Sequence, residues 1–337
     1  MIDKPTTIGK QKNYLILFTL FIILFTACQN EYMDIPDTGR KIVINGLITT
    51  DTLLNVNITK STYISEVSGT ASLSRYDIDS AEVYFYQNNI LIDSLHHDHY
   101  DSHEIFNVFY YGNYWSRSLY PLPGKEYKVV VKKPSLPDAS AITTIPEQVR
   151  IERVDTSWVI LSPGEYYVSD VGLKLKIEFS DPVYRTNYYL FRMYKNTYWE
   201  NDSLYVPYSS EIIRFNCQDP LVEEKLNYVD GYEAIVFSDR VINGQKYSIN
   251  VIVKGESIGK PFTDDPELSY VNHRKSLSFK LYSITEEYFR YIQTLYLYSK
   301  NYGNPFAEPV LVNSNVNGGY GMFSGASVSS DSIVFRY

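Results

Sequence analysis

The chain is poor in cysteine: Cys28 and Cys217 are its only two in 337 residues. A disulfide framework is therefore excluded. If Cys28 serves the purpose argued below, no intramolecular disulfide can form even in an oxidising compartment. Positive charge is short as well. Lys and Arg number 31 against 39 Asp and Glu, a net charge of −8. Outside the first few residues there is no Lys/Arg run, so no nucleic-acid partner is expected. Long apolar runs are missing too. The longest, residues 15–25, covers eleven positions, about half of the roughly 20 that a membrane-crossing helix needs. What remains is 44% hydrophobic and rich in Tyr, 33 against 16 Phe, the composition of a packed globular body.

The short apolar run has its own use. Lys4, Lys10 and Lys12 precede it, and it ends at Phe25-Thr26-Ala27-Cys28. That is similar to the cleavage site of bacterial lipoproteins, in which the cysteine becomes the mature N-terminus and carries acyl chains such as palmitate. Residues 1–28 are read as a lipoprotein signal peptide with Cys28 as the lipidated residue. Several acyl chains, at about 0.8 kcal/mol per buried methylene, give a stable anchor. Gln29 and Asn30 follow with no Asp beside the cysteine, so the outer membrane is the expected destination, with its periplasmic and surface sides both open.

After a polar tether, 29–40, short apolar or aromatic strand signals recur at 54–58, 81–86, 105–110 and 127–131, separated by Gly, Asn, Asp and Ser. This spacing without helical periodicity predicts an N-terminal β-sandwich over 41–147, closed where Pro146 breaks the last strand. A second β domain is expected over 150–337. Its clearest strand is LKLKIEF, with Leu173, Leu175, Ile177 and Phe179 on one face and Lys174, Lys176 and Glu178 on the other. YYLFRMY, EIIRF, YEAIVFS and YSINVIV continue the pattern, a long connection is expected over 198–229, and Asn243-Gly244 marks a turn. The fold class is mainly β: two immunoglobulin- or fibronectin-like sandwiches and one packed helix. An echo joins the halves. Gly124-x-x-Tyr127 and Gly244-x-x-Tyr247 both open an alternating apolar strand, the arrangement of a tyrosine corner whose buried hydroxyl bonds backbone a few residues upstream.

The helix is expected over 285–302. Thr285 is a plausible N-cap, Glu286 and Glu287 favour the positive end of the dipole, and Gly303 is a stop signal. Tyr288, Ile292, Leu295 and Tyr298 form its apolar stripe, with Tyr291 beside them. The loop after it ends in Asn317-Gly318-Gly319-Tyr320-Gly321. It lacks the following helix and the lysine of a phosphate-binding loop, so its glycines are read as positions of positive φ or close backbone approach.

Three groups of residues could carry function. His96, His97, His99 and His103 crowd into eight positions with Asp98 and Asp101. If extended, His97, His99, Asp101 and His103 share a face and offer ligands for Zn, Cu or Ni; the alternative is a polar hairpin loop. Tyr110, Tyr111, Tyr114 and Trp115, with Tyr198 and Trp199, offer an aromatic surface for a glycan or protein partner, or else cover the sandwich ends. Asp264-Asp265 and Glu223-Glu224 are carboxylate pairs of the kind acid–base work needs, and the first reads as a solvated turn. Cys217 is read as a small buried hydrophobe.

The C-terminal stretch also resembles a family. The strand SLSFKLY, the helix, Asn304-Pro305-Phe306-x-Glu308-Pro309 and Ser314-Asn315-x-x-Gly318-Gly319-x-Gly321-x-Phe323 are similar to the pattern shared by domain-of-unknown-function family 4249, lipoproteins of the Bacteroidota envelope. The resemblance implies a non-enzymatic accessory or binding protein without a cofactor, partnering a TonB-dependent outer-membrane transporter. An envelope metal-binding protein using residues 96–103 and a secreted hydrolase without a recognised motif are the competing expectations.

Overall fold

The computed structural model describes residues 39–63, 77–97, 112–162, 170–201, 204–217, 219, 234–258, 273–301, 303–304 and 306–335. From Arg40 onward the chain forms one compact unit. Among the described residues no helix is long and apolar enough to cross a membrane.

The first half supplies β1 (Ile42–Thr49), β2 (Asn55–Lys60), β3 (Glu82–Gln87), β4 (Ile90–His97), β5 (Tyr114–Trp115), β6 (Glu126–Lys132) and β7 (Ala139–Thr144). The second supplies β8 (Ile151–Ser162), β9 (Asp170–Ser180), β10 (Tyr188–Asn201), β11 (Leu204–Ile212), β12 (Asn216–Cys217), β13 (Ile235–Ser238) and β14 (Lys246–Lys254). The one-turn helix α1 (Gly255–Ile258), β15 (His273–Ile284), helix α2 (Glu286–Asn301) and β16 (Tyr320–Phe335) complete it. One large sheet runs β11-β10-β15-β16-β1-β2-β5-β4-β3-β6-β7, with β13 also on β10, and a second runs β12-β14-β9-β8.

The fold is mainly β, as the alternation predicts. In β9 the apolar set Leu173, Leu175, Ile177 and Phe179 is buried, while the lysines between stay exposed. With Ile249, Val251 and Val253 of β14 it packs on Tyr189, Phe191 and Met193 of β10 and Leu277, Phe279 and Leu281 of β15. Two sheets meet face to face there, and each fully buried side chain of this size contributes about 1.5–3 kcal/mol. Cys217 lies in that core. A second core forms in the first half, where the sheet curls until Ser140 of β7 bridges Asn317, just ahead of β16. Ile42, Ile44, Val83, Phe85, Val129 and Val131 fill it, together with Phe323 from β16.

The expected boundary near 147–150 thus separates two hydrophobic cores, not two separate units. The join is β16, whose sixteen residues pair parallel with β1 and antiparallel with β15. Its sequence, read above as a loop and glycine cluster, is a strand from Tyr320 onward. Packed layers press on both its faces, so Gly321, Ser324, Gly325, Ala326 and Ser327 fit where larger strand formers would not, and the usual β signal is lost. Gly318 and Gly321 do adopt positive φ, at 76° and 108°.

Helix α2 lies on the opposite face of the large sheet, against Leu190, Tyr282, Met322, Ala326 and Val328. Thr285 caps it, accepting the Tyr288 N–H at 3.2 Å. Tyr288, Tyr291 and Ile292 are buried, but Tyr298 is 46% exposed. Residues 297–300 are exposed, so the stripe ends sooner than its periodicity suggests. The expected connection after residue 198 is also corrected: β10 continues to Asn201 and pairs back with β11 to Ile212.

The two Gly-x-x-Tyr units share a backbone form, with φ of +70° at both Gly124 and Gly244. They differ at the hydroxyl. Tyr127 is buried and accepts the Leu122 N–H at 2.9 Å, five residues upstream. Tyr247 is half-buried and donates to the Asp219 carboxylate instead. Only the first is a backbone-closed corner. In the second, the long 180–187 loop occupies the space beside the turn, and Val183 lies against Gly244.

Candidate functional site

Three strands of the second half leave their sheets at one end of the sandwich: β9 at Asp181, β13 at Asp239, and β10, which begins after Asn187. A polar hub ties them together. Asn187 donates its backbone N–H to Asp239 Oδ2 at 2.7 Å, and its Nδ2 lies 3.1 Å from that oxygen and 3.3 Å from Asp181 Oδ1. Tyr189 donates its hydroxyl to Asp181 Oδ1, and Gly244 its N–H to Asp181 Oδ2 at 2.9 Å. Asp181, Asn187, Tyr189 and Asp239 are all buried. Burial and the Asp181 carboxylate push the Tyr189 phenol far up, so it stays a proton donor at any working pH. Burial also raises the Asp239 carboxyl, assisted by the nearby Asp181 charge. All four oxygens of the two carboxylates but one are held by this hub. Asp239 Oδ1 has no hydrogen-bond partner among the described residues.

Two concavities flank the N-terminus of α2 and share Thr186, Tyr188 and Glu286 in their walls. The first, of about 560 Å³, lies between the 238–243 turn and the first two turns of α2. The second, of about 610 Å³, is closed by residues 142–147 of the first half and by Asn315. In the wall between them Tyr188 packs on Phe289, ring centroids 4.8 Å apart and planes tilted by 38°. Tyr188 also hydrogen-bonds the Glu286 carboxylate, and its phenol is raised, first by burial and then by that charge. Glu286 in turn accepts Arg290 at 2.9 Å. Both volumes fall within the roughly 300–1,000 Å³ of ordinary small-ligand sites. The arrangement can bind; no nucleophile hydrogen-bonded to a base appears in it among the described residues.

None of the described histidines and aromatics singled out from the sequence lines these concavities. Cys28, His99, Asp101, His103, Tyr110 and Tyr111 lie outside the described residues, as do Asp264, Asp265, Glu223 and Glu224. His96 and His97 end β4, opposite Trp115 and Tyr114 of β5. Among the described residues no group of three or more His, Cys, Asp or Glu could hold a metal ion. Tyr114 is not a surface aromatic. It is 1% exposed, donates to the Ile78 carbonyl at 2.8 Å, accepts the Ala81 N–H at 2.9 Å and meets the His97 ring edge-on. Trp115 is half-buried and its indole N–H is taken by the Gly112 carbonyl. Tyr198 sits half-buried in β10 beside Trp199, at the bulge opposite Pro207.

The hub and cavities were missed because their parts are spread over residues 124–315 and none repeats a chemical motif. Asp181-Pro182 and Ser238-Asp239, each an acid closing an apolar strand, were the available signal. Contrary to the expectation of a chain without a hydrolase motif, Gly255-Glu256-Ser257-Ile258-Gly259 spells G-x-S-x-G. It follows β14, but β14 is an antiparallel sandwich strand and α1 is a single turn, unlike the parallel strand and long helix of a nucleophile elbow. No hydrogen bond joins Ser257 to an imidazole among the described residues.

Compared with known families, the chain matches the one described as Domain of unknown function (DUF4249) over residues 29–332. No curated protein matches it.

Proposed function

The chain belongs to the DUF4249 family, and from that premise we propose that it is a lipid-anchored, non-enzymatic binding protein of the bacterial outer membrane. The observation that carries this reading is the leader itself: a short apolar run ends at Ala27-Cys28, and only a polar tether separates that cysteine from the compact unit opening at Arg40. Such a chain holds a folded module at a membrane surface by its acyl groups. The two-lobed cleft at the N-terminus of α2 supports binding as the module's work, since its polar groups converge on space without pairing a nucleophile with a base. The partner we propose is a TonB-dependent transporter of the Bacteroidota envelope, to which the module would deliver or present a ligand.

Growth with labelled palmitate, followed by fractionation, tests the anchor. The native chain should carry label in the outer-membrane fraction and the Cys28→Ser variant should carry none. Label retained by the variant would sink the lipoprotein reading. Mild-detergent purification of the native chain should co-isolate a TonB-dependent transporter, and its absence would remove the proposed partner.

A further inference from the structure

The two loops pinned by the hub carry side chains that the hub does not use. Residues 181–187 join β9 to β10, and residues 239–245 join β13 to β14. Backbone bonds hold one loop to the other. The Asp181 N–H is donated to the Gln245 carbonyl at 3.0 Å, and the Asp239 N–H to the Asn187 carbonyl at 3.0 Å. Within the first loop, Asn187 Nδ2 lies 3.2 Å from the Pro182 carbonyl and 3.0 Å from that of Arg185. Within the second, the Ile242 N–H closes on the Asp239 carbonyl at 2.7 Å. From this fixed base Val183, Tyr184 and Val241 stand in solvent, 63%, 97% and 63% exposed. Val183 lies against the second loop at Gly244, where an added Cβ would come within 2.8 Å of its Cγ2, so the two loops adjoin where these side chains emerge.

Charge is sorted on the same two loops. Their only acids, Asp181 and Asp239, are buried in the hub, while Arg185 and Arg240 are exposed. Arg185 gives its Nε–H to Asn187 Oδ1 at 3.1 Å, which orients the guanidinium, and neither arginine meets a carboxylate among the described residues. Acids on neighbouring elements are engaged or turned elsewhere. Glu286 is paired with Arg290, Glu152 and Glu178 with Lys246, and Glu147 and Glu287 open on the second concavity. Exposed Tyr and Arg around an apolar centre are the composition of protein-interface hot spots. Loops already ordered by hydrogen bonds spare much of the entropy that binding would otherwise cost. A bilayer is a poorer fit: two arginines contribute about 2 kcal/mol at an anionic surface, short of the roughly four to eight basic residues of a lipid-binding cluster.

We propose that the 183–185 and 240–241 tips form a docking surface for a protein partner that presents an apolar side chain flanked by aspartate or glutamate. Val183, Tyr184 and Val241 take the apolar contact, and Arg185 and Arg240 take the carboxylates. The inference rests on the reading of the chain as a module that works with another envelope protein, and it says where that partner sits. The two fail separately. The palmitate label reports the anchor whatever docks here, and a partner other than a transporter would remove the transporter while leaving the surface.

The test is photo-cross-linking of the full chain in living cells. Tyr184 or Val241 is replaced by the photoreactive residue p-benzoylphenylalanine, with Ile90, exposed in the first half, replaced as the control. Mass spectrometry then identifies the attached peptide. One protein other than this chain should be attached at both 184 and 241 and not at 90, through a residue with Asp or Glu beside it. Arg185→Glu/Arg240→Glu should cut that adduct about tenfold or more, with near-ultraviolet circular dichroism unchanged. Arg185→Ala/Arg240→Ala carries the same test where charge reversal disturbs the fold. No protein adduct at either position, different proteins at the two, attachment to a second copy of this chain, an equal adduct at 90, a peptide without a flanking acid, or an adduct undiminished in the arginine variants would overturn the proposal.

Discussion

Replacing Gly321 by alanine puts the join between the two halves under direct load. Gly321 stands opposite Ile44 in the parallel β1–β16 pair. Its φ is +108°, and a Cβ built on it would lie 2.2 Å from the Ile44 carbonyl oxygen and 2.8 Å from Asn45 Oδ1. Neither neighbour can move freely: the first is strand backbone, and the second accepts the Met322 N–H at 3.3 Å. Two costs combine. An L-residue forced to positive φ loses about 1–2 kcal/mol, and overpacking against a fixed wall costs about 1–3 more, so about 2–5 kcal/mol is expected. Gly303 is the control, because its φ is +79° yet nothing lies within 4 Å of its would-be Cβ. Gly303→Ala should show the conformational cost alone. In urea denaturation followed by tyrosine fluorescence, a slope of about 3 kcal/mol/M turns a 3 kcal/mol loss into a midpoint shift of about 1 M. If Gly321→Ala loses no more than Gly303→Ala, the tight β1–β16 contact is not what demands glycine there, and the reasoning fails.

The two Gly-x-x-Tyr hydroxyls should each register their partner. Tyr127→Phe leaves the Leu122 N–H without its acceptor and should cost about 1–3 kcal/mol by denaturation midpoint, and Tyr247→Phe, which takes a donor from the buried Asp219 carboxylate, should cost at least as much; an unchanged midpoint in either variant would contradict its hydroxyl's assignment. Asp239 gives a pH signature: its carboxyl lies above its ordinary 3.8 in the folded chain, so its favourable contribution is present below the unfolded value and is lost as pH rises through the folded one. Wild type should therefore lose stability relative to Asp239→Asn from about pH 3.8 upward and then hold a constant difference; a gap that moves the other way in parallel melts would refute the shift. Calorimetry with Zn²⁺ and Cu²⁺ should find micromolar affinity or weaker, unchanged in a His97→Ala/His99→Ala double variant, and stoichiometric nanomolar binding lost in that variant would make the histidine cluster a metal site.

What was legible in the sequence depended on whether one face of an element was buried. Strand β9 has a core on one side and water on the other, so its alternation of Leu173, Leu175, Ile177 and Phe179 with lysines could be read directly. Helix α2 was legible for the same reason, together with its Thr285 cap. Strand β16 was not, because Phe323 serves one core and Met322, Ala326 and Val328 the other layer. A strand covered on both faces has no alternation to show, and its small residues imitate a loop. The surface reading of Tyr114 failed in a related way: it lies among polar and aromatic neighbours in sequence, yet its hydroxyl closes a backbone contact at Ile78 and Ala81. The hub at Asn187 joins residues 52 apart in the chain, Asn187 and Asp239, a proximity that only the folded strand order creates.

The same strand order explains why the two concavities differ in kind. The first is built from residues 186–293 alone, around a sandwich end whose loops are pinned by Asn187 and Asp181. The second takes one wall from residues 142–147 of the first half and the other from the 185–188 loop and α2. Its width is therefore set by the β1–β16–β15 register and by the 145–151 segment, which is fastened to the same sheet: Ile151 donates to Ser329 Oγ at 2.9 Å and Val149 to Ser283 Oγ at 3.3 Å. Binding to walls already fixed by such contacts avoids much of the ordering cost that a flexible loop site would incur. Rigidity placed around open space is the feature that the strand order and the two concavities have in common.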